Sequence, residues 1–139
     1  MSRLKIMLVD DNKIVVLGVL RIYKNHIPDA TVITAENGKE ALEILSKTES
    51  DQNLPCLIIL DINMPILNGI EFLEIIKKNT RFCNIPVMIH TTSSNIKDYK
   101  TCKSLGISGY YVKHVDYSIY KNNLITIVDY WNNSFRNNL

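Results

Sequence analysis

The sequence has few of the features that mark membrane, disulfide-rich or nucleic-acid-binding proteins. Its 139 residues include three cysteines, and the net charge is only +2. Cys56, Cys83 and Cys102 form no Cys-x-x-Cys pair and have no histidine partners at ligand spacing, which argues against a zinc site and favours reduced thiols. The small net charge argues against a nucleic-acid partner, which usually needs a strong basic patch.

Long apolar runs are also absent. None approaches the roughly 20 residues that a membrane span needs, and the short apolar stretch near the N-terminus meets an acidic pair instead of a cleavage site. We therefore expect a cytoplasmic protein. The length suits a single domain over residues 1–139, with a core at about 3–131 and an asparagine-rich tail at 132–139 that frays.

Apolar strand-like runs alternate with helix-like runs along the chain. The predicted strands are residues 4–9, 30–35, 56–60, 85–90 and 108–112. The predicted helices are residues 13–25, 39–47, 69–78, 95–105 and 117–131. Five repeats of strand then helix predict an α/β fold with a doubly wound, five-stranded parallel sheet, because parallel strands need crossover helices that cover both faces.

Two of these helices have apolar residues at helical spacing. In the first helix they are Ile14, Leu17, Leu20 and Tyr23. In the last helix we expect a buried stripe of Tyr117, Tyr120, Leu124, Val128 and Trp131.

Polar residues with a common chemistry follow the predicted strands. Asp10 and Asp11 follow the first strand, Asp61 the third, Thr91 the fourth and Lys113 the fifth. In a parallel sheet these positions share one edge, and open α/β sheets bind ligands at that edge.

Three carboxylates packed together repel one another, so at least one would tend to protonate unless a cation lies among them. The ligands are hard oxygens without a histidine or cysteine cluster, which favours Mg²⁺. With Lys113 opposite, such a site suits a phosphoryl group. A carboxylate can also be the nucleophile in phosphoryl transfer, and Asp61, alone after the most apolar strand, is the best candidate.

These residues closely resemble the response-regulator receiver family, and the resemblance covers nearly the whole chain. The acidic pair lies in VDDN (9–12) and the phosphoacceptor box is LDINMPILNG (60–69). The threonine box is PVMIHTTSS (86–94), and the lysine ends GYYVK (109–113). One box alone would be weak evidence, but four in order at the strand ends are strong evidence.

The resemblance implies a flavodoxin-like strand order, 2-1-3-4-5, and a Mg²⁺-dependent phosphoacceptor switch of a two-component system. Asp61 would accept a phosphoryl group from a histidine kinase or phosphotransfer protein. Asp11 and Asp61 would bind Mg²⁺ directly, Asp10 largely through a water, and Asn63 through its backbone carbonyl. The protein would catalyse only its own phosphorylation and dephosphorylation.

The resemblance also implies how the signal leaves the domain. Thr91 and Lys113 would contact the phosphoryl group, and Tyr110 occupies the family's aromatic switch position. Movement of Thr91 and Tyr110 would remodel the face formed by the fourth helix, fifth strand and fifth helix, where a downstream protein would dock. A homodimer through this face stays open.

One position departs from the family pattern. Receivers usually have Lys-Pro after the fifth strand, often with a cis peptide, and this chain has Lys113-His114. A cis bond before a residue other than proline costs about 2.5–4 kcal/mol, so we expect a trans bond with a reshaped loop in preference to a strained cis bond. Thr92, where small residues are common, is a milder departure.

Other functions stay open at this point or are excluded by single residues. A pseudo-receiver, an interaction module without phosphorylation, is the main alternative, and His114 is the reason to keep it. A dehalogenase-type hydrolase needs a second aspartate where Asn63 stands. In a flavodoxin, Asp10 and Asp11 would repel the cofactor phosphate.

Simpler roles also exist for individual residues. Asp10, Asp11 or Thr91 could cap helices, Lys113 could form an ordinary salt bridge, and Tyr110 could be ordinary core. A metal or relay role for His90 and His114 is disfavoured. Lysines recur at helical spacing on the fourth helix as a solvated face or as a docking stripe for an acidic partner: Lys97, Lys100 and Lys103.

Overall fold

The computed structural model describes residues 4–137. Its strands are β1 (Lys5–Val9), β2 (Thr31–Ala35), β3 (Leu57–Leu60), β4 (Val87–Thr91) and β5 (Gly109–Val112). Its α-helices are α1 (Lys13–His26), α2 (Gly38–Lys47), α3 (Gly69–Lys77), α4 (Ile96–Ser104) and α5 (Tyr117–Asn137), with a 3-10 turn at Asp51–Asn53.

The five strands form one parallel sheet in the order β2-β1-β3-β4-β5, which confirms the predicted fold and strand order. β3 is central, and all four of its side chains are buried. Such a strand is apolar throughout because helices cover both faces of the sheet. One face packs against α2, α3 and α4, and the other packs against α1 and α5.

Asparagine begins each of the first four helices. Asn12, Asn37, Asn68 and Asn95 each accept a hydrogen bond from a backbone N–H in the first helical turn. This is the capping chemistry that satisfies otherwise unpaired N–H groups. The caps of α1, α3 and α4 lie in the loops after β1, β3 and β4, so they also fix the loops that bound the carboxyl edge of the sheet.

The buried face of α1 differs from the periodicity noted in the sequence. Ile14 and Leu17 are 83% and 67% exposed, whereas Val19, Ile22 and Tyr23 are buried. Tyr23 is thus the one residue of the noted four that is buried, and Val15 and Val16 pack partly buried beside it. The hydroxyl of Tyr23 donates to the carbonyl of Leu124 at 3.0 Å and ties α1 to α5.

The buried stripe predicted for the last helix is buried at Leu124 and Val128, half-buried at Tyr120 and Trp131, and exposed at Tyr117. Tyr117 is 63% exposed, whereas Leu124, Ile127 and Val128 are buried. The helix also runs beyond residue 131 to Asn137. Part of the tail expected at 132–139 therefore lies in α5, and residues 138–139, like residue 3 of the expected core, lie outside the described residues.

β4 begins and ends later than predicted, at Val87 and Thr91. Pro86 lacks the N–H that a ladder position would use, and Thr91 pairs with Val112 as the last residue of the strand. No helix within residues 4–137 is both long enough and apolar enough to span a lipid bilayer.

Candidate phosphoryl-acceptor site

Three carboxylates meet at the carboxyl edge of the sheet. β1 and β3 pair Val9 with Leu60, so Asp10 and Asp61 leave neighbouring strands at the same level. Asp10 is 3% exposed and Asp61 is 7% exposed, while Asp11 is open to solvent. Each of the three offers a carboxylate oxygen, and these oxygens all lie within 4.8 Å of one another.

Lys113 joins the cluster from the end of β5. Its Nζ lies 2.7 Å from Oδ2 of Asp10 and 3.3 Å from Oδ2 of Asp61, and its side chain is 9% exposed. The backbone N–H of Lys113 donates to the carbonyl of Thr91 at 2.6 Å. This hydrogen bond extends the pairing of β4 and β5 by one residue and fixes the backbone position of Lys113.

Burial and charge act in opposite directions on these groups. Loss of solvation raises the pKa of Asp10, although the hydrogen bonds from Lys113 and the backbone of Asn12 oppose this change. Burial alone would lower the pKa of Lys113, but the carboxylates of Asp10 and Asp61 outweigh it, so that the pKa is raised. The lysine is therefore held as a cation beside carboxylates that are poorly solvated.

The donor set fits a hard divalent cation. Oδ1 of Asp61 is buried and has no hydrogen-bond partner among the described residues. A buried carboxylate oxygen without a partner is costly, and a cation held with the oxygens of Asp10 and Asp11 would satisfy it. Asn63 lies two residues after Asp61 in the loop to α3, with an exposed side chain.

Thr91 and Tyr110 both engage the loop between β4 and α4 through Ser93. Oγ1 of Thr91 accepts from the backbone N–H of Ser93 at 3.2 Å, which leaves its own proton free for another acceptor. The hydroxyl of Tyr110 donates to the carbonyl of Ser93 at 3.0 Å. The ring of Tyr110 is half-buried and meets Tyr99 edge-on, with 5.3 Å between centroids.

The role of Ser93 in this loop was missed in the sequence. Its Oγ donates to Oδ2 of Asp98 at 2.7 Å and accepts from the backbone N–H of Asn95 at 3.3 Å. The one available signal was a serine just before a helix with an acidic residue in the first turn. This bond links the loop after β4 to the start of α4.

The two histidines near the cluster lie apart from its ligand group. Within residues 4–137 the group able to hold a metal comprises Asp10, Asp11 and Asp61 and no histidine. His90 is 2% exposed, and its ring lies 5.3 Å from that of Tyr120.

The other histidine shapes the loop after β5. Nδ1 of His114 accepts from the backbone N–H of Asp116 at 2.9 Å. No peptide bond in the described part of the chain is cis, so Lys113-His114 is trans, as expected. A trans bond at this position still brings Lys113 to both carboxylates.

Lys97, Lys100 and Lys103 are all exposed on α4. Nζ of Lys103 lies 5.8 Å from the ring centre of Tyr99. Exposure of all three lysines is compatible with a solvated face and with a docking stripe for an acidic partner.

Sequence and structure comparisons point to one family. The family described as the response regulator receiver domain matches residues 6–125. The probable methanogenesis regulatory protein FilR2 of Methanothrix harundinacea is 29% identical over 127 residues, which are 91% of this chain and 82% of FilR2. Several other curated relatives are longer, and the chain spans less than half of their length.

Solved structures give the same result. The phosphorylated cyanobacterial phytochrome response regulator RcpA superposes with a TM-score of 0.85 at 30% identity, covering 94% of each chain. The Mn²⁺-bound response regulator Rcp1 superposes with a TM-score of 0.83 at 29% identity, covering 91% of this chain and 93% of Rcp1.

Proposed function

The chain belongs to the response regulator receiver domain family, and from this premise we propose that it is a two-component switch that accepts a phosphoryl group on Asp61. Receiver domains act as signalling switches and not as enzymes with a separate substrate. The observation that carries the proposal is the buried, unpartnered Oδ1 of Asp61 among two further carboxylates and Lys113. Without a cation, Oδ1 of Asp61 has no polar partner among the residues that the structure describes. The carboxylate of Asp61 would attack the phosphorus of the donor.

The proposed reaction is phosphoryl transfer from a phosphohistidine of a histidine kinase or phosphotransfer protein. A carboxylate oxygen of Asp61 forms a bond to phosphorus while the phosphorus–nitrogen bond of the donor breaks. The electron pair of that bond stays on the imidazole nitrogen, which takes up a proton from water. Such a transfer depends on positioning and charge stabilisation more than on covalent chemistry by the protein.

The side chains around Asp61 have separable roles in this proposal. Lys113, already 3.3 Å from Asp61, would hold its charge against the phosphoryl oxygens. The free proton of Thr91 would be donated to one of those oxygens. Asp10, Asp11, Asp61 and the backbone carbonyl of Asn63 would hold Mg²⁺. Bound there, Mg²⁺ would neutralise the negative charge that gathers on the transferred group.

Exposed aliphatic side chains near the ends of the strands support a protein donor. Ile14 and Leu17 on α1 are 83% and 67% exposed, and Val115, in the loop before α5, is fully exposed. A protein donor would cover these side chains while its phosphohistidine reaches Asp61. Because histidine kinases use ATP, we also place the action of this domain in the cytoplasm.

The proposed output runs through the loop between β4 and α4. If Thr91 moves toward a phosphoryl group, its bond to Ser93 must break or shift, and Ser93 also holds Tyr110 and Asp98. We infer that phosphorylation stabilises one of two arrangements of this network. The face of α4, β5 and α5 would then present a different surface to a downstream protein.

Incubation with acetyl phosphate and Mg²⁺, followed by intact-mass measurement, tests the proposal. We expect one added phosphoryl group in the wild type and in Asp29→Asn, a matched control at an exposed loop aspartate. No adduct should form in Asp61→Asn or after Mg²⁺ removal with EDTA.

Two outcomes would overturn the proposal. An adduct that persists in Asp61→Asn would place the acceptor elsewhere. A wild type that forms no adduct and binds no beryllofluoride, a stable phosphoryl mimic, would favour the phosphorylation-independent pseudo-receiver.

A further inference from the structure

Ile66 lies in an unfavourable turn on the loop between β3 and α3. The backbone N–H of Leu67 donates to the carbonyl of Pro65 at 2.8 Å, and Ile66 between them has a φ of +70°. This is the γ-turn with positive φ, which is rare and strained. A β-branched residue in the left-handed region is an outlier, and the side chain of Ile66 is also 76% exposed.

The surroundings hold this turn in place at both ends of the loop. The N–H of Gly69 donates to the carbonyl of Ile62 at 2.9 Å, and the N–H of Gly38 donates to the carbonyl of Leu67 at 2.9 Å. A Cβ at Gly38 would lie 2.8 Å from that same carbonyl of Leu67. A Cβ at Gly69 would overlap the carbonyl oxygen of Asp61. Both attachments are therefore close-packed, and such packing is what allows a strained backbone to persist.

A groove of about 510 Å³ opens beside Ile66, between the loop and α2. Leu42, Leu67 and Ile66 itself provide its apolar wall, and Lys39 and Lys47 lie on its rim with one acidic residue, Glu43. The rim thus has two positive charges against one negative charge. An apolar side chain flanked by carboxylates would complement it.

We propose that Ile66 and this groove are a docking surface for the protein that phosphorylates Asp61. The proposal rests on the proposed function, because Asp61 begins the same loop and is only 7% exposed. A phosphohistidine on a protein reaches so recessed an acceptor only if that protein covers the loops around it. The strained turn holds the apolar side chain of Ile66 in solvent beside the groove, where a partner that covers the loop would contact it.

The test compares two phosphodonors with the same phosphorus–nitrogen bond. Phosphoimidazole has no protein surface, whereas a purified histidine phosphotransfer protein carrying phosphohistidine has one. The rate constants for phosphorylation by each donor are measured for the wild type, Ile66→Asn, Ile66→Leu and Ile75→Ala. Asparagine tolerates positive φ and is polar, leucine keeps an apolar side chain without β-branching, and Ile75 is a partly exposed isoleucine on α3.

We expect the ratio of the protein-donor rate to the phosphoimidazole rate to fall about tenfold in Ile66→Asn, as for one anchoring side chain of an interface. Ile66→Leu and Ile75→Ala should keep the wild-type ratio. Ile66→Asn should also unfold at a higher urea concentration, because the strain is relieved.

An unchanged ratio in Ile66→Asn would overturn the docking role, and an unchanged or lower urea midpoint would overturn the strain on which it is argued. If neither donor phosphorylates the wild type, the proposed function itself fails. The two failures are therefore distinguishable.

Discussion

Replacement of Lys113 by methionine gives the sharpest quantitative prediction from this site. The variant keeps the length of the side chain but removes its charge, which lies 2.7 Å from Asp10 and 3.3 Å from Asp61. At an effective dielectric constant of about 20, those distances correspond to attractions of about 6 and about 5 kcal/mol. The cost of desolvating the three groups offsets much of this attraction, so breaking such a buried pair destabilises a protein by about 3–5 kcal/mol.

Urea unfolding measures this loss directly. In EDTA we expect the free energy of unfolding of Lys113→Met to be about 3–5 kcal/mol lower than that of wild type. The control Lys121→Met, at an exposed lysine of α5, should change it by less than about 0.5 kcal/mol. Mg²⁺ should stabilise Lys113→Met more than wild type, because a cation among the unpaired carboxylates replaces the lost charge. A Lys113→Met variant as stable as Lys121→Met in EDTA would refute the reasoning.

The pH dependence of this difference has a defined sign. The pKa of Lys113 is raised above its usual 10.5, because the two carboxylates outweigh the effect of burial. Its contribution to stability is therefore fully present below pH 10.5 and is lost only as the pH rises through the higher folded-state pKa. The gap between wild type and Lys113→Met should stay constant from pH 7 to 9.

Three further substitutions test other parts of the account. Gly69→Ala should lower the free energy of unfolding in urea by about 1–3 kcal/mol, because the added Cβ overlaps the carbonyl oxygen of Asp61. It should also slow phosphorylation. A wild-type unfolding midpoint and phosphorylation rate would contradict the close packing. Burial lowers the pKa of His90 from 6.5 to about 4, so the unfolded chain takes up a proton there before the folded protein does. As the pH falls from 7 to 4, the free energy of unfolding should therefore drop by about 3 kcal/mol more in wild type than in His90→Leu. Parallel pH profiles of the two proteins would contradict a neutral, buried imidazole. Tyr110→Phe loses the bond to Ser93 and should speed hydrogen exchange in the loop after β4; unchanged exchange would show that the bond does not hold this loop.

The fold and the carboxyl edge could be predicted because they depend on short-range patterns. Alternating apolar runs specify strands and helices, and parallel strands place their carboxyl ends together. Recognition of the strands therefore placed Asp10, Asp61 and Lys113 on one edge, and the strand order implied by the family resemblance brought them near one another. The trans bond after Lys113 followed from the energetic preference for trans before a residue other than proline.

Other features depend on packing that the sequence pattern does not specify. Ile14 and Leu17 have helical periodicity but are exposed. The buried side of α1 is the one with Val19, Ile22 and Tyr23, which packs on the sheet and is tied to α5 by the hydrogen bond from Tyr23. Ser93 acquires its role from the position of Tyr110 on another strand. The positive φ of Ile66 is imposed by attachments at both ends of its loop, and nothing in its own residue type signals it.

The central claim is that Asp61 is the phosphoacceptor, and its most direct test is to locate the phosphoryl group. The protein is phosphorylated with acetyl phosphate and Mg²⁺ and reduced with borohydride, which converts an aspartyl phosphate to homoserine, and its peptides are sequenced by tandem mass spectrometry. The account predicts homoserine at position 61 in the Mg²⁺-treated sample and intact aspartate there in EDTA. Homoserine at position 10 or 11, with aspartate intact at position 61, would contradict it.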